Sequence, residues 1–193
     1  MMKKILNLLA LLSGLGLLSC QALPEGFGIE DPGQYSRIYI AASYNGVQHS
    51  EFTFPENVSV NIYANYSGVV PLHADVNVSV ADDLSLTEAY NAAAGTSYPP
   101  VPAACYALNR STTTIPSGST ISAEPAVVTF LSAGFLDDGT YLLPVKITEV
   151  SDPSIALTPA LSILYLSVSC KAGELSVTFQ PLDDYNLEDD EKW

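Results

Sequence analysis

Histidine is nearly absent: the 193 residues hold two, His49 and His73. A serine nucleophile needs such a base and a group to orient it. No Gly-x-Ser-x-Gly elbow occurs, and His73 falls in phase with the polar side of an alternating run. Cationic residues are scarce too, with 7 Lys and Arg against 21 Asp and Glu and a formal charge of −14. That balance argues against nucleic acid and anionic lipid surfaces as partners. The three cysteines lie far in sequence from both histidines, so no metal-ligand spacing appears. The single tryptophan is Trp193, the last residue. No apolar run reaches the ~20 residues that a membrane-spanning helix needs.

What is present begins with the N-terminus. An apolar stretch from Ile5 to Leu18 follows Lys3 and Lys4 and leads to Ser19 and Cys20. A basic start, an apolar middle and a small residue before the cut make a secretory signal. Cys20, placed after Leu17, Leu18 and Ser19, resembles the cysteine of a bacterial lipobox. That resemblance implies cleavage before Cys20 and a diacylglycerol on its thiol. Two or more acyl chains hold a protein stably at a membrane. The expected organisation is a signal peptide over 1–19, a tether over 20–35, a folded domain over 36–180 and an acidic tail over 181–193. The expected location is the cell envelope, as an outer-membrane lipoprotein. If Cys20 carries lipid, Cys105 and Cys170 remain. An oxidising compartment permits a disulfide between them, and the alternative is two buried thiols acting as small hydrophobes.

The folded part alternates with period two. Runs start at Arg37, at Val47 after the Asn45-Gly46 turn signal, at Asn57 and at Leu72. In the third, Val58, Val60, Ile62 and Ala64 share one face, with polar groups and Tyr63 on the other. Ser85 and Glu88 have capping-box spacing, which predicts a short helix over 86–94 with Gly95 as its C-cap. Further strands are expected at 105–108, 112–115, 126–131, 140–150, 161–170 and 174–179, with Pro144 marking an edge or a bulge. About seven to nine strands with turns between them predict an all-β antiparallel sandwich with one inserted helix.

An ordered series of residues runs through the second half. It comprises Tyr90-Asn91, Tyr98-Pro99, Pro102, Tyr106-Ala107-Leu108, Ile115-Pro116, Gly118, Gly139, Tyr141, Pro144 and Ile147. This series resembles the DUF1735 family of Bacteroidetes lipoproteins, also called the BT_3987-like N-terminal domain. The resemblance covers roughly 36–170 and implies an immunoglobulin-like sandwich in an envelope lipoprotein, often from polysaccharide-use loci. It transfers no functional residues.

No catalytic or metal-binding set emerges, and no cofactor is expected. Asp82-Asp83 and Asp137-Asp138 offer hard oxygen ligands, yet turn aspartates are expected for backbone reasons alone. Sugar recognition by a β-sandwich uses exposed aromatic faces with polar groups beside them. Eleven tyrosines are available. Tyr44, Tyr63 and Tyr66 fall in turns or on expected polar faces, which makes them the candidate ligand-binding residues. The reading is a non-catalytic, lipid-anchored envelope protein that binds glycan or supports a polysaccharide-capture complex. The alternative is a structural or adhesive module whose partner is another envelope protein.

Overall fold

The computed structural model describes residues 31–135 and 139–171. Cys20, the expected strand at 174–179, the acidic tail and the Asp137-Asp138 turn lie outside those residues.

Alternation builds the strands. Arg37–Ile40 (β1) buries Ile38 and Ile40 and turns Arg37 and Tyr39 outward. A 3-10 turn over Ala41–Asn45 ends on Gly46, at φ +74° and ψ −125°. That ψ is far from the ~0° that the glycine of a type I′ Asn-Gly hairpin needs. Val47–Thr53 (β2) accordingly joins the opposite sheet. The Asn45-Gly46 pair thus marks a crossing between sheets rather than a hairpin. Val58–Ile62 (β3) and Ala64–Ser67 (β4) are one run interrupted at Tyr63, with Val60, Ile62, Ala64 and Tyr66 inward. Val76–Asp82 (β5) starts later than the alternation predicts, because Ala74 is exposed although Leu72 is buried.

The helix Leu86–Ala94 (α1) forms where the sequence puts it, and Gly95 closes it at φ +67° with its N–H donated to the Asn91 carbonyl. The capping box does not form. Ser85 has a helical backbone, and its hydroxyl donates to Asp83 Oδ1 at 2.5 Å. A capping serine needs an extended backbone to reach the next turn, so Asp83 takes the role and also accepts the Ser85 N–H.

Beyond the helix come Tyr106–Arg110 (β6), Thr112–Ile115 (β7), Ala126–Phe130 (β8), Gly139–Val150 (β9), Ala156–Leu157 (β10) and Ile163–Lys171 (β11). One sheet runs β2-β11-β9-β5-β7. Facing it, β10-β1-β4 and β3-β8-β6 form a second layer, continuous through the β3–β4 run. The order β1, β4/β3, β8, β6 against β11, β9, β5 is that of an immunoglobulin-like sandwich. Two pairs are parallel, β1–β10 and β2–β11, because β1 and β2 run beside late strands of opposite sheets. Phe130, Ile38, Ile40, Leu143 and Leu164 are sealed between the layers.

Pro144 is on neither an edge nor a bulge. It stands mid-way along β9, between β11 and β5. Its neighbour on the β5 side changes at this point: Asp83 N–H donates to the Pro144 carbonyl, and Leu142 N–H donates to the Pro99 carbonyl. A residue with no N–H fits where the ladder asks it only to accept. The β5–β9 bulge lies elsewhere, at the Ser79/Val80 register shift.

Cys105 and Cys170 are both buried and are not bridged. The Cys105 thiol is pushed up by burial and by the nearby Cys170 sulfur. Asn57, Asn65, Asn77 and Asn109 are tied into the fold. Asn57 accepts from Ser132 N–H, Asn65 from Ala41 N–H and Asn77 from the Thr114 hydroxyl, while Asn109 donates to Thr129.

Candidate functional site

The three candidate tyrosines separate by the phase of one strand run. Tyr66 shares the inward phase of Ala64 and is 5% exposed. Its hydroxyl donates to the Val70 carbonyl at 2.7 Å and shares a 2.9 Å hydrogen bond with Ser36 Oγ. The expectation of an exposed Tyr66 ring is therefore corrected. A buried phenol needs local partners, and this one ties the N-terminal segment to the 67–72 loop. The signal was in the sequence, since 58, 60, 62, 64 and 66 share one parity.

Tyr63 has the opposite phase and is 39% exposed, and Tyr44 is 68% exposed. Tyr63 takes the outward phase of the β3–β4 run, and Tyr44 lies in the turn that follows β1. Tyr44 stands edge-on to Tyr39, with ring centroids 5.9 Å apart and planes at 82°. Tyr39 pairs in register with Asn65 on β4. Along the β3–β4 run, Ser59, Asn61, Tyr63 and Asn65 alternate outward. Same-side neighbours on a strand stand ~7 Å apart. Asn65 is half-buried, and its Oδ1 accepts the Ala41 N–H at 3.4 Å. At the far end Ser59 and Thr129 share a hydroxyl hydrogen bond of 2.8 Å. The face thus offers ring surfaces for the apolar side of a sugar, with amide and hydroxyl groups beside them. Tyr39 and Asn65 were missed as members, although the phase of Arg37 and Tyr39 against Ile38 and Ile40 marks them as outward.

A second feature is a cleft of about 450 Å³ at one end of the sandwich, lined by Ser36, Tyr66, Leu72, His73, Asp75 and Asp152 among others. Its polar atoms are mostly committed. Asp152 Oδ1 accepts from Ser154 Oγ and Ser154 N–H, and Asp75 Oδ1 accepts from Ser117 N–H. The Ser154 hydrogen bonds hold the Asp152 carboxyl below its usual value. His73 is exposed, as its phase predicts. The cleft is a joint between loops, with few polar atoms left to converge on a ligand.

Glycoside hydrolysis needs one carboxyl held protonated beside another that is ionised. Among the described residues the displaced carboxyls, Glu51, Asp83 and Asp152, move the other way. Lys171 lowers Glu51, and Lys146 at 2.6 Å with Ser85 lowers Asp83. Asp82 accepts the Tyr106 hydroxyl at 2.8 Å, so neither Asp82 nor Asp83 has its full set of oxygens to spare for calcium, while Asp137 and Asp138 lie outside the described residues. Among the described residues no group of three or more His, Cys, Asp and Glu is placed to hold a metal ion.

The same fold recurs among solved structures. A Bacteroides ovatus protein named for carbohydrate binding superposes with TM-score 0.54 at 21% identity, over 69% of this chain and 36% of its own. EndoBT-3987 of Bacteroides thetaiotamicron, solved with a Man5GlcNAc product, gives 0.55 at 18%, over 69% and 30%. A multidomain Bacteroides ovatus protein that includes DUF1735 gives 0.50 at 20%, over 71% and 45%. The chain thus spans less than half the length of each of these three. No curated protein matches it. The family model that matches, over residues 33–154, describes an N-terminal domain. That match takes in more than half of the chain, which therefore belongs to the DUF1735, or BT_3987-like N-terminal domain, family.

Proposed function

We propose that this protein is a non-catalytic, lipid-anchored glycan-binding module of the cell envelope, with the tyrosine face of the β1–β4 layer as its binding surface. The observation that carries this reading is the exposure of Tyr44 against Tyr39 and of Tyr63 two residues before Asn65, with Tyr39 and Asn65 in register on β1 and β4. Rigid aromatic rings with an asparagine side chain beside them suit the alternating apolar and hydroxyl surfaces of a pyranose. The relative named for carbohydrate binding and the one solved with an oligosaccharide product support the ligand class. Cys20 supplies the anchor, and two or more acyl chains there would hold the domain at the membrane surface.

Strand addition by a protein partner finds little purchase. The edge strand β10 has two residues, β6 carries a register shift, and β2 presents His49 and Glu51. Short, bulged and charged edges discourage pairing. The test is affinity electrophoresis of the protein beginning at Gln21 against host and plant polysaccharides. Retarded migration by at least one glycan is expected, and loss of that retardation in Tyr44→Ala and Tyr63→Ala places it on this face. A folded protein that no glycan retards would overturn the reading.

A further inference from the structure

A pocket of about 490 Å³ opens on the outer side of the other sheet, between the first turns of α1 and the Tyr98–Pro100 segment. Ser85, Thr87, Glu88, Asn91, Tyr98 and Pro100 line it. Two of the residue pairs singled out in the sequence, Tyr90-Asn91 and Tyr98-Pro99, meet here.

Its walls are fixed before any ligand arrives. Asn91 Nδ2 donates to the Tyr98 carbonyl at 2.8 Å, and its Oδ1 accepts from Tyr98 N–H at 3.0 Å and Thr96 Oγ1 at 2.9 Å. Pro99 and Val101 are pinned to β9 through Leu142. The Tyr98 ring lies 6.5 Å from Tyr90, whose ring lies 4.5 Å from Tyr165 on β11.

One group in that wall is unspent. Thr87 is 3% exposed, and its hydroxyl has no hydrogen-bond partner, alone among the buried side-chain polar atoms of the described residues. A buried hydroxyl left unpaired costs the fold stability, so its retention calls for a partner. The hydroxyl is closed to solvent in its present rotamer, and because threonine in a helix holds two χ1 wells, a rotamer change is the movement that turns it toward a ligand. Beside it, Glu88 is exposed and makes no ion pair among the described residues. Lys146 pairs with Asp83, just ahead of the helix.

We infer that this pocket binds a single neutral sugar unit, separately from the tyrosine face. Glu88 accepts a pair of adjacent hydroxyls, Thr87 takes a third, and the Tyr98 ring lies against the sugar's apolar side. The unpaired Glu88 carboxylate disfavours an anion. The site stands on a different sheet and needs neither Tyr44 nor Tyr63.

The test is amide chemical-shift mapping of the protein beginning at Gln21, titrated with glucose, galactose, mannose and N-acetylglucosamine, with methylammonium as the cationic control. At least one sugar is expected to shift the Thr87, Glu88 and Tyr98 amides in a saturable way. Thr87→Val is expected to weaken it about threefold and Glu88→Gln about tenfold, while Tyr44→Ala leaves it unchanged. No shift at these amides with any sugar would overturn the inference, as would saturation by methylammonium alone. A Thr87→Val protein that is more stable but binds sugar as wild type does would reduce the orphan hydroxyl to a packing defect and overturn its role.

Discussion

Tyr63 and Tyr66 lie three residues apart on one strand run and do opposite work. Tyr66 points inward and spends its hydroxyl on Val70 and Ser36, whereas Tyr63 points outward beside Asn65. The difference is one of phase: an even residue in this run joins the core, and an odd residue meets solvent. The wider contrast between the end cleft and the β1–β4 face has the same origin. The cleft is concave but its polar groups are occupied by loop contacts, while the β1–β4 side keeps exposed tyrosine rings near Asn65. Concavity alone is a poor guide to binding when the lining groups already have partners.

Breaking the inward half of the comparison should give the largest effect. Tyr66→Ala is expected to destabilise the domain by ~3–5 kcal/mol, as for other large-to-small changes in a core. A denaturant midpoint at constant m checks it, and a loss below ~1 kcal/mol would contradict the burial assigned to the ring. Tyr66→Phe keeps the ring and orphans Ser36 Oγ and the Val70 carbonyl, for an expected ~1–3 kcal/mol. Neither change should alter glycan binding once the protein is folded.

Tyr106 sharpens the comparison from a third position, half-buried and hydrogen-bonded to Asp82. Burial first, and the Asp82 carboxylate second, push its phenol up from 10.0 to about 12. The folded state then keeps a proton that the unfolded chain gives up, so stability is whole below pH 10 and falls as pH rises towards about 12. Denaturant midpoints across that window should fall less steeply in Tyr106→Phe than in wild type. Parallel curves would show that Tyr106 does not hold its proton in this way.

The outward half should barely register in stability. Tyr44→Ala and Tyr63→Ala are expected to shift it by no more than ~0.5 kcal/mol, the usual range for surface positions. A larger loss from Tyr63→Ala would mean that the bend between β3 and β4 depends on the ring.

Much of the fold was legible because its signals are local. The β3–β4 alternation, the 86–94 helix and the Gly95 cap follow from side-chain phase and backbone freedom within a few residues. The crossing of β1 and β2 between sheets was not legible, because strand partners such as β10 and β11 lie more than a hundred residues away. Pro144 was misplaced for the same reason: its position is harmless only because β5 ends beside it. The candidate site was half legible. Phase alone separates Tyr63 from Tyr66, whereas the Tyr39–Asn65 pairing needs register. The Thr87 pocket needs both the helix and the Pro-rich segment in place, and an unspent hydroxyl leaves no mark in sequence.

The most direct test of the central claim is isothermal calorimetry of the protein beginning at Gln21 with the polysaccharide that retards it most, alongside Tyr44→Ala, Tyr63→Ala and Tyr66→Phe. The account predicts that each outward substitution weakens binding about tenfold, ~1.4 kcal/mol, with stability unchanged, and that Tyr66→Phe binds as wild type does. Full affinity in both outward variants, or a loss confined to Tyr66→Phe, would contradict it.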